Sequence, residues 1–207
     1  MKAIRLFVTM MLFGIAMGVT AQVAPSELKI KASKEAKKEC KRMTKEGWKP
    51  FPGGLPLERQ LDRVYAMEYD TDLNMESKWA FGEGQDHGQF FEAAKGSANA
   101  FAMSDLVGKL HTEVTREVTA QVKNKELPEE QANSVAGMAE SSKSLTIQRL
   151  SGIQPVLQAQ RKLKNGNTEV MVRFAYLRSK AKNDTFNYIN GKCKEEGIDF
   201  QLTGAVE

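Results

Sequence analysis

Apolar residues recur at every third or fourth position along four stretches of the chain, the spacing typical of an amphipathic helix. The stretches are residues 26–47, 57–70, 88–123 and 128–142. Each is bounded by residues suited to helix ends, such as serine, glycine or proline. The pattern therefore predicts four helices.

The third of these helices is rich in alanine and carries one long apolar stripe. The stripe consists of Phe90, Phe91, Ala94, Ala98, Phe101, Ala102, Leu106, Leu110, Val114, Val118 and Val122. Small residues between positions 93 and 100 allow a sheet or another helix to approach closely. β-Branched residues are frequent from Thr112 onward and lower helix propensity, so a break or a strand in that half is the alternative.

Two later stretches alternate apolar and polar residues, which predicts β-strands. They are residues 157–163 and 170–176, and Asn165 and Gly166 lie between them. Because Asn-Gly tolerates the positive φ angles of a two-residue turn, the sequence predicts a β-hairpin.

The rest of the chain has weaker patterns. Residues 75–84 predict a strand that ends in glycines, and residues 48–56 a connector without any regular element, since they include three prolines. Residues 147–153 could begin the first hairpin strand, and Pro155 then requires a bulge, an edge or a break. The polar residues 179–207 predict a final helix and a loose end.

Together these elements predict an α+β fold. We expect a small antiparallel sheet with a C-terminal hairpin, packed against the long alanine-rich helix and preceded by two N-terminal helices, with the helices on one face. The expected divisions are a helical segment 22–74, an α+β domain 75–180 and a C-terminal helix and tail 181–207.

The first 21 residues resemble a secretory signal peptide. Lys2 and Arg5 precede an uncharged apolar run of 14 residues. At about 1.5 Å per residue the run covers roughly 21 Å, less than the roughly 30 Å of a bilayer core. We expect cleavage after Ala21, no transmembrane helix in the mature chain, and a location in the periplasm or at the outer membrane or cell surface. An uncleaved membrane helix is the alternative.

The composition is that of a globular protein: 207 residues, 41% hydrophobic, with 30 Lys and Arg against 26 Asp and Glu. These values exclude a protein with many membrane spans, a disordered polymer and a small disulfide scaffold. Basic residues concentrate in residues 29–49, a face that could meet an anionic partner or simply be solvated; export disfavours nucleic acid. Cys40 and Cys193 could form one disulfide or remain free thiols.

Reactive motifs are few. Gly82, Gly84 and Gly88 only approximate a dinucleotide-binding loop, and a plain strand-to-helix turn explains them equally. His87 and His111 are the only histidines, and no metal, nucleophile or phosphate-binding motif accompanies them. We therefore expect no catalytic residue, no cofactor and no metal.

A strand ending in Gly-Glu-Gly leads into the alanine-rich helix in WAFGEGQDHGQFFEAAKGSANAFAMSDLVGKL, and the hairpin VLQAQRKLKNGNTEVMVRFAY closes the pattern. This combination, over about residues 75–180, resembles the Lpp-twenty lipoprotein family of bacterial envelopes. The resemblance implies a small α+β domain, also similar to the N-terminal domain of a flagellar T-protein, that acts as an envelope accessory without catalysis. The chain departs from the family in lacking the lipidated cysteine.

These features favour a non-enzymatic exported module, a scaffold or accessory for another periplasmic or outer-membrane protein, which could also form a homo-oligomer. Trp48, Phe51 and Trp79 are the candidate contacts for a ligand or partner. The alternative function is binding of a small apolar or saccharide ligand through these rings. A hydrolase that uses Glu83 or His87 is the third hypothesis.

Overall fold

The structure is a computed structural model that describes residues 25–149 and 152–204. These residues form five helices and one four-stranded antiparallel sheet, so the α+β fold is confirmed. The elements in chain order are α1 (Pro25–Lys45), β1 (Lys49–Pro50), α2 (Leu57–Glu68), β2 (Trp79–Gly88), α3 (Phe91–Asn124), α4 (Glu129–Arg149), β3 (Gln154–Lys162), β4 (Thr168–Leu177) and α5 (Arg178–Glu195). In this part of the chain no helix is both long and apolar enough to cross a membrane. The signal peptide expected at residues 1–21 lies outside the described residues.

The sheet has the order β1-β3-β4-β2, and the predicted hairpin of β3 and β4 is confirmed. Its turn differs from the prediction. The amide of Gly166 donates to the carbonyl of Leu163 (3.0 Å) and the amide of Leu163 to the carbonyl of Asn167 (2.9 Å). Gly166 has a φ of 86°, whereas Asn165 has no positive φ, and the Asn165 side chain accepts the Asn167 amide. The connection is therefore a three-residue loop with a bulge, not a two-residue turn.

β2 begins four residues later than predicted and continues through its glycines to Gly88. The preceding residues form a turn in which the Asp72 carboxylate accepts two backbone amides and Met75 has a φ of 63°. Gly82 and Gly84 lie inside the strand because the backbone of α3 lies directly against them, where a Cβ atom would overlap it. Glycines in an extended strand do not form the phosphate-binding loop that their spacing approximates.

α3 is one continuous helix of 34 residues, so the break considered in its second half does not occur. Val114, Val118 and Val122 are buried in a cluster with residues of α4 and α5, and this packing outweighs their lower helix propensity. The predicted stripe is wrong at Phe90 and Phe101, which are 71% and 55% exposed.

Helices cover both faces of the sheet, so the prediction of a single covered face is wrong. Val170 and Val172 of β4 share a cluster with Ala98 of α3. On the opposite face, Ala175 of β4 shares a cluster with Leu61 of α2. Since β4 carries apolar side chains at both its odd and its even positions, each face of the sheet must be shielded from water.

Three further predictions at the level of elements need correction. Residues 49 and 50 are not irregular but pair with β3 as the short strand β1. Residues up to Arg149 belong to α4, and β3 begins only at Gln154. Of the three alternatives for Pro155, the structure has the bulge, between Pro155 and Leu157. The residues between α5 and residue 204 do not form the predicted loose end, because Phe200 and Leu202 are buried in the core.

Candidate functional site

The sheet has two outer edges, and one of them is formed by the short strand β1 and by the part of β3 that β1 does not cover. The backbone amide of Gln158 donates to the Gln60 side chain (2.7 Å), and the Gln158 carbonyl accepts the Phe51 amide (3.4 Å). The Gln60 side chain, which is buried, also donates to the Leu55 carbonyl (2.6 Å). β1 and α2 thus protect the middle of β3, at Gln158 and at the positions paired with β1.

The edge formed by β2 is closed only at its beginning. The Glu83 amide points away from β4 and donates to the Asp105 carboxylate (2.9 Å). Lys109 donates to the Phe81 carbonyl (2.9 Å) and to Asp105 (2.7 Å). Four residues of α3 rise about 6 Å, close to the roughly 6.7 Å of two strand residues, so side chains four residues apart on α3 meet successive outward positions of β2.

The next position along this series is open. Phe101 precedes Asp105 by one helical turn and so lies beside Gln85, and its ring cannot accept or donate as Asp105 and Lys109 do. In an antiparallel pair the backbone groups of alternate residues point outward, so those of Gln85 and His87 share the direction of the Glu83 amide. Within residues 25–149 and 152–204 these groups have no hydrogen-bond partner. We call the outward backbone groups of Gln85 and His87, together with the Phe101 ring, the open edge.

Exposed apolar side chains also concentrate around β2. In the part of the chain that the structure describes, the large exposed ones are Leu55, Leu73, Met75, Phe90 and Phe101. Leu73 and Met75 belong to the turn before β2, Phe90 follows its last residue, and Phe101 flanks its edge. Of these residues, Phe101 and Phe90 are the ones next to the second half of β2.

Charged groups on the adjoining sheet face are paired with one another. Arg173 of β4 forms ion pairs with Glu68 (3.0 Å) and Glu83, and Glu169 pairs with Arg161 and accepts from Gln85 (2.6 Å). Burial raises the pKa of Glu68, although Arg173 opposes the shift. Burial would also raise the pKa of Glu169, but the hydrogen bonds from Arg161 and Gln85 together lower it. The face therefore presents no unpaired carboxylate for acid–base chemistry at these positions.

Asp105 remains charged at neutral pH. Burial alone would raise the pKa of Asp105, but the hydrogen bonds from Lys109 and from the Glu83 amide together lower it. The carboxylate therefore acts as a fixed acceptor for the β2 backbone.

The three aromatic residues predicted as contacts do not form a common surface. Trp48 is 3% exposed and packs with α1 and α2, with the Arg161 guanidinium 4.6 Å from its ring centre. Phe51 is buried on the opposite face of the sheet, edge-on to Phe91 at 5.1 Å. Trp79 is half-buried and donates from its indole to Asp70 (3.2 Å). Trp48 and Phe51 are thus core residues.

The two cysteines are free thiols in the structure, so the disulfide considered for them is not formed. Cys40 packs against the cluster of α1 and α2, whereas Cys193 lies in the cluster of α3, α4 and α5, with its sulfur 4.0 Å from that of Met138. The separation of these clusters keeps the thiols apart.

The candidate catalytic residues are also apart from one another. Glu83 and His87 are four residues apart on one extended strand, and Glu83 is bound by Arg173. His111 lies on α3, 3.5 Å from Glu140. Within the described ranges, no group of three or more His, Cys, Asp or Glu is arranged to hold a metal ion.

Sequence reasoning missed the open edge because it assigned Phe101 to the buried stripe. A signal was present. Ala94, Ala98 and Ala102 repeat at intervals of four, and Phe101 is one residue out of that series, in line with Asp105 and Lys109 instead. No protein-family model, curated protein or solved structure matches this chain, so the resemblance to the Lpp-twenty family stays a prediction.

Proposed function

We propose that this chain is a non-enzymatic module of the cell envelope that binds another protein along β2. The proposal rests on the open edge, where outward backbone groups of Gln85 and His87 lie beside the exposed ring of Phe101. Unpaired strand groups next to an apolar side chain suit a protein ligand, which can supply both hydrogen bonds and apolar area. The envelope location is supported by the signal-like pattern of residues 1–21.

Binding of a small ligand through Trp48, Phe51 and Trp79 has less support. A ring that stacks on a ligand must be accessible, and Trp48 and Phe51 are 3% and 8% exposed. Hydrolysis by Glu83 or His87 has less support as well, since Arg173 holds the Glu83 carboxylate in an ion pair. We therefore give the protein-binding role precedence.

Site-specific photo-cross-linking in the native host tests the proposed function. A photoreactive phenylalanine analogue is placed at Phe101 or at Phe90, both exposed near the open half of β2, and at Lys125 beyond the far end of α3 as the matched control. We expect one discrete cross-linked protein from positions 101 and 90 in the envelope fraction and none from position 125. Absence of a specific product at both β2 positions contradicts the proposed function.

A further inference from the structure

We infer that the partner binds as one extended segment, which adds to β2 as a fifth, antiparallel strand at Gln85 and His87. This inference rests on the proposed function and specifies how the partner is held. All other pairings in the sheet are antiparallel, and antiparallel ladders are slightly more stable per residue.

The open edge offers backbone groups in the arrangement that a strand requires. Gln85 and His87 each direct one amide and one carbonyl outward, and Phe81 and Glu83 are already bound by Lys109 and Asp105. An added strand can therefore pair with the second half of β2 without displacing these side chains. The contact is short, which predicts a modest and reversible affinity.

The two faces of the added strand meet different surfaces. Residues opposite Gln85 and His87 would project on the face that carries those polar side chains. The residues between them would project toward α3 and lie against the ring of Phe101. Side chains of the segment should therefore alternate polar and apolar.

Charge further narrows the chemistry of the segment. Most of the neighbouring charged groups already have partners: Asp105 with Lys109 at 2.7 Å, Glu83 with Arg173, and Glu169 with Arg161. Asp86, between Gln85 and His87 on β2, forms no ion pair with any residue that the structure describes, so a basic side chain opposite it would gain a counter-ion, whereas a charge elsewhere on the segment would lose hydration without one. We therefore expect a segment in which Ser, Thr or Gln alternates with Val, Ile or Phe and in which only the position opposite Asp86 suits Lys or Arg.

A second copy of this chain does not fit the same edge. Symmetric pairing of two β2 strands would set them about 4.8 Å apart. Each α3 lies directly beneath its own β2, where its backbone touches Gly82 and Gly84. The two helices would then approach more closely than the roughly 8–10 Å that packed helices need. The occupant must be a segment without a helix on that side.

Proline substitution at the open edge tests this mode of binding. The amides of Gln85 and His87 point to solvent, so Gln85→Pro and His87→Pro remove donors that the fold does not use, a position where edge strands accept proline. His87→Thr and Gln85→Thr are matched controls that change the side chain and keep the amide. Each variant carries the photoreactive group at position 101, and its unfolding midpoint is measured by circular dichroism.

We expect both proline variants to lower the yield of the cross-link about tenfold, and both threonine variants to retain it. In the cross-linked complex, the Gln85 and His87 amides should exchange with deuterium more slowly than in the free protein; this measurement decides the outcome for any variant that fails to fold. A cross-link that persists in both folded proline variants overturns strand addition and leaves the proposed function intact. A cross-link to a second copy of the chain overturns the inference as well, whereas absence of any cross-link defeats the proposed function itself.

Discussion

At the scale of residues, two glycines determine how closely α3 approaches the sheet. Gly82 and Gly84 face α3, and a Cβ atom at Gly84 would overlap the carbonyl oxygen of Ala98 and the amide nitrogen of Ala102. These are backbone atoms of a helix and cannot move aside as a flexible side chain does. At this separation between α3 and β2, only glycine therefore fits at position 84.

We predict that Gly84→Ala lowers the free energy of unfolding by about 3 kcal/mol, because the helix must move away from β2. Gly96→Ala is the matched control, since it also adds one methyl group but lies on α3 with no atom within 4 Å of the added Cβ. There we expect an increase of about 1 kcal/mol from the better helix propensity of alanine. Urea unfolding measures both, and equal effects would contradict the close contact.

The charge on Asp105 is a second case in which a single residue affects the stability of the fold. Because the folded pKa of Asp105 lies below its ordinary value of 3.8, its charge stabilises the fold above that pH and ceases to do so as the pH falls through the folded pKa. Asp105→Asn keeps an acceptor for the Glu83 amide and removes the charge. Since the side chain is 37% exposed, solvent screening keeps the effect to about 0.5 kcal/mol.

We therefore predict that Asp105→Asn is less stable than the unmodified protein at pH 7 and that the difference disappears as the pH falls through the folded pKa of Asp105, which lies below 3.8. Urea unfolding at pH values between 2.5 and 7 is the measurement, on the order of five points being enough to define the curve. Ser104→Ala, at the exposed neighbouring position, should run parallel to the unmodified protein. A difference that grows on acidification would reverse the sign and contradict the assignment.

At the scale of elements, the two sheet edges are protected by side chains from helices. Gln60 of α2 accepts the Gln158 amide on one edge, and Asp105 of α3 accepts the Glu83 amide on the other. A side chain that binds an outward strand group prevents pairing with other chains at that point. The protection stops at Gln85, which is why β2 has an open half.

We predict that Gln60→Leu lowers the free energy of unfolding by about 2 kcal/mol, because it leaves the Gln158 amide without its partner. Arg59→Leu, at the exposed neighbouring position of α2, is the control and should change stability by less than about 0.5 kcal/mol. If Gln60→Leu is as stable as the control, the side chain does not hold the edge.

At the scale of the whole molecule, the segment after α5 joins elements that are distant in sequence. Asn190 of α5 exchanges hydrogen bonds with Leu202 at 2.7 and 3.0 Å, and Gln121 of α3 does so with Thr203 at 3.0 Å. Phe200 and Leu202 complete a cluster shared by α3, α4 and α5. This segment therefore fixes α5 against the end of the long helix.

We predict that Leu202→Ala lowers the free energy of unfolding by about 3 kcal/mol, since it opens a cavity in that cluster. Gln201→Ala removes a neighbouring exposed side chain and should be nearly neutral. Thermal unfolding followed by circular dichroism measures both variants. A neutral Leu202→Ala would mean that the end of the chain is loose after all.

Local patterns predicted the helices and the hairpin well. They failed where the structure depends on contacts between residues that are distant in sequence. The spacing of Ala94, Ala98 and Ala102 predicted α3, and alternation with Asn165 and Gly166 predicted the hairpin of β3 and β4. The predicted extent of β2 was wrong. Glycine usually ends a strand, but Gly82 and Gly84 lie within β2 because the backbone of α3 packs directly against them. The tail was wrong because its few apolar residues have partners far earlier in the chain.

The sequence by itself thus determined the class of fold, the long helix and the hairpin, since these follow from periodicity and turn chemistry within a few residues. Only the tertiary structure decided that both faces of the sheet are covered, that Cys40 and Cys193 lie in separate clusters, and that Phe101 is exposed beside an unpaired half of β2. The reason is physical: burial and edge pairing depend on groups such as Gln60 and Gln158, which are 98 residues apart. Periodicity gives the elements, and contacts between them select which surface remains free to bind.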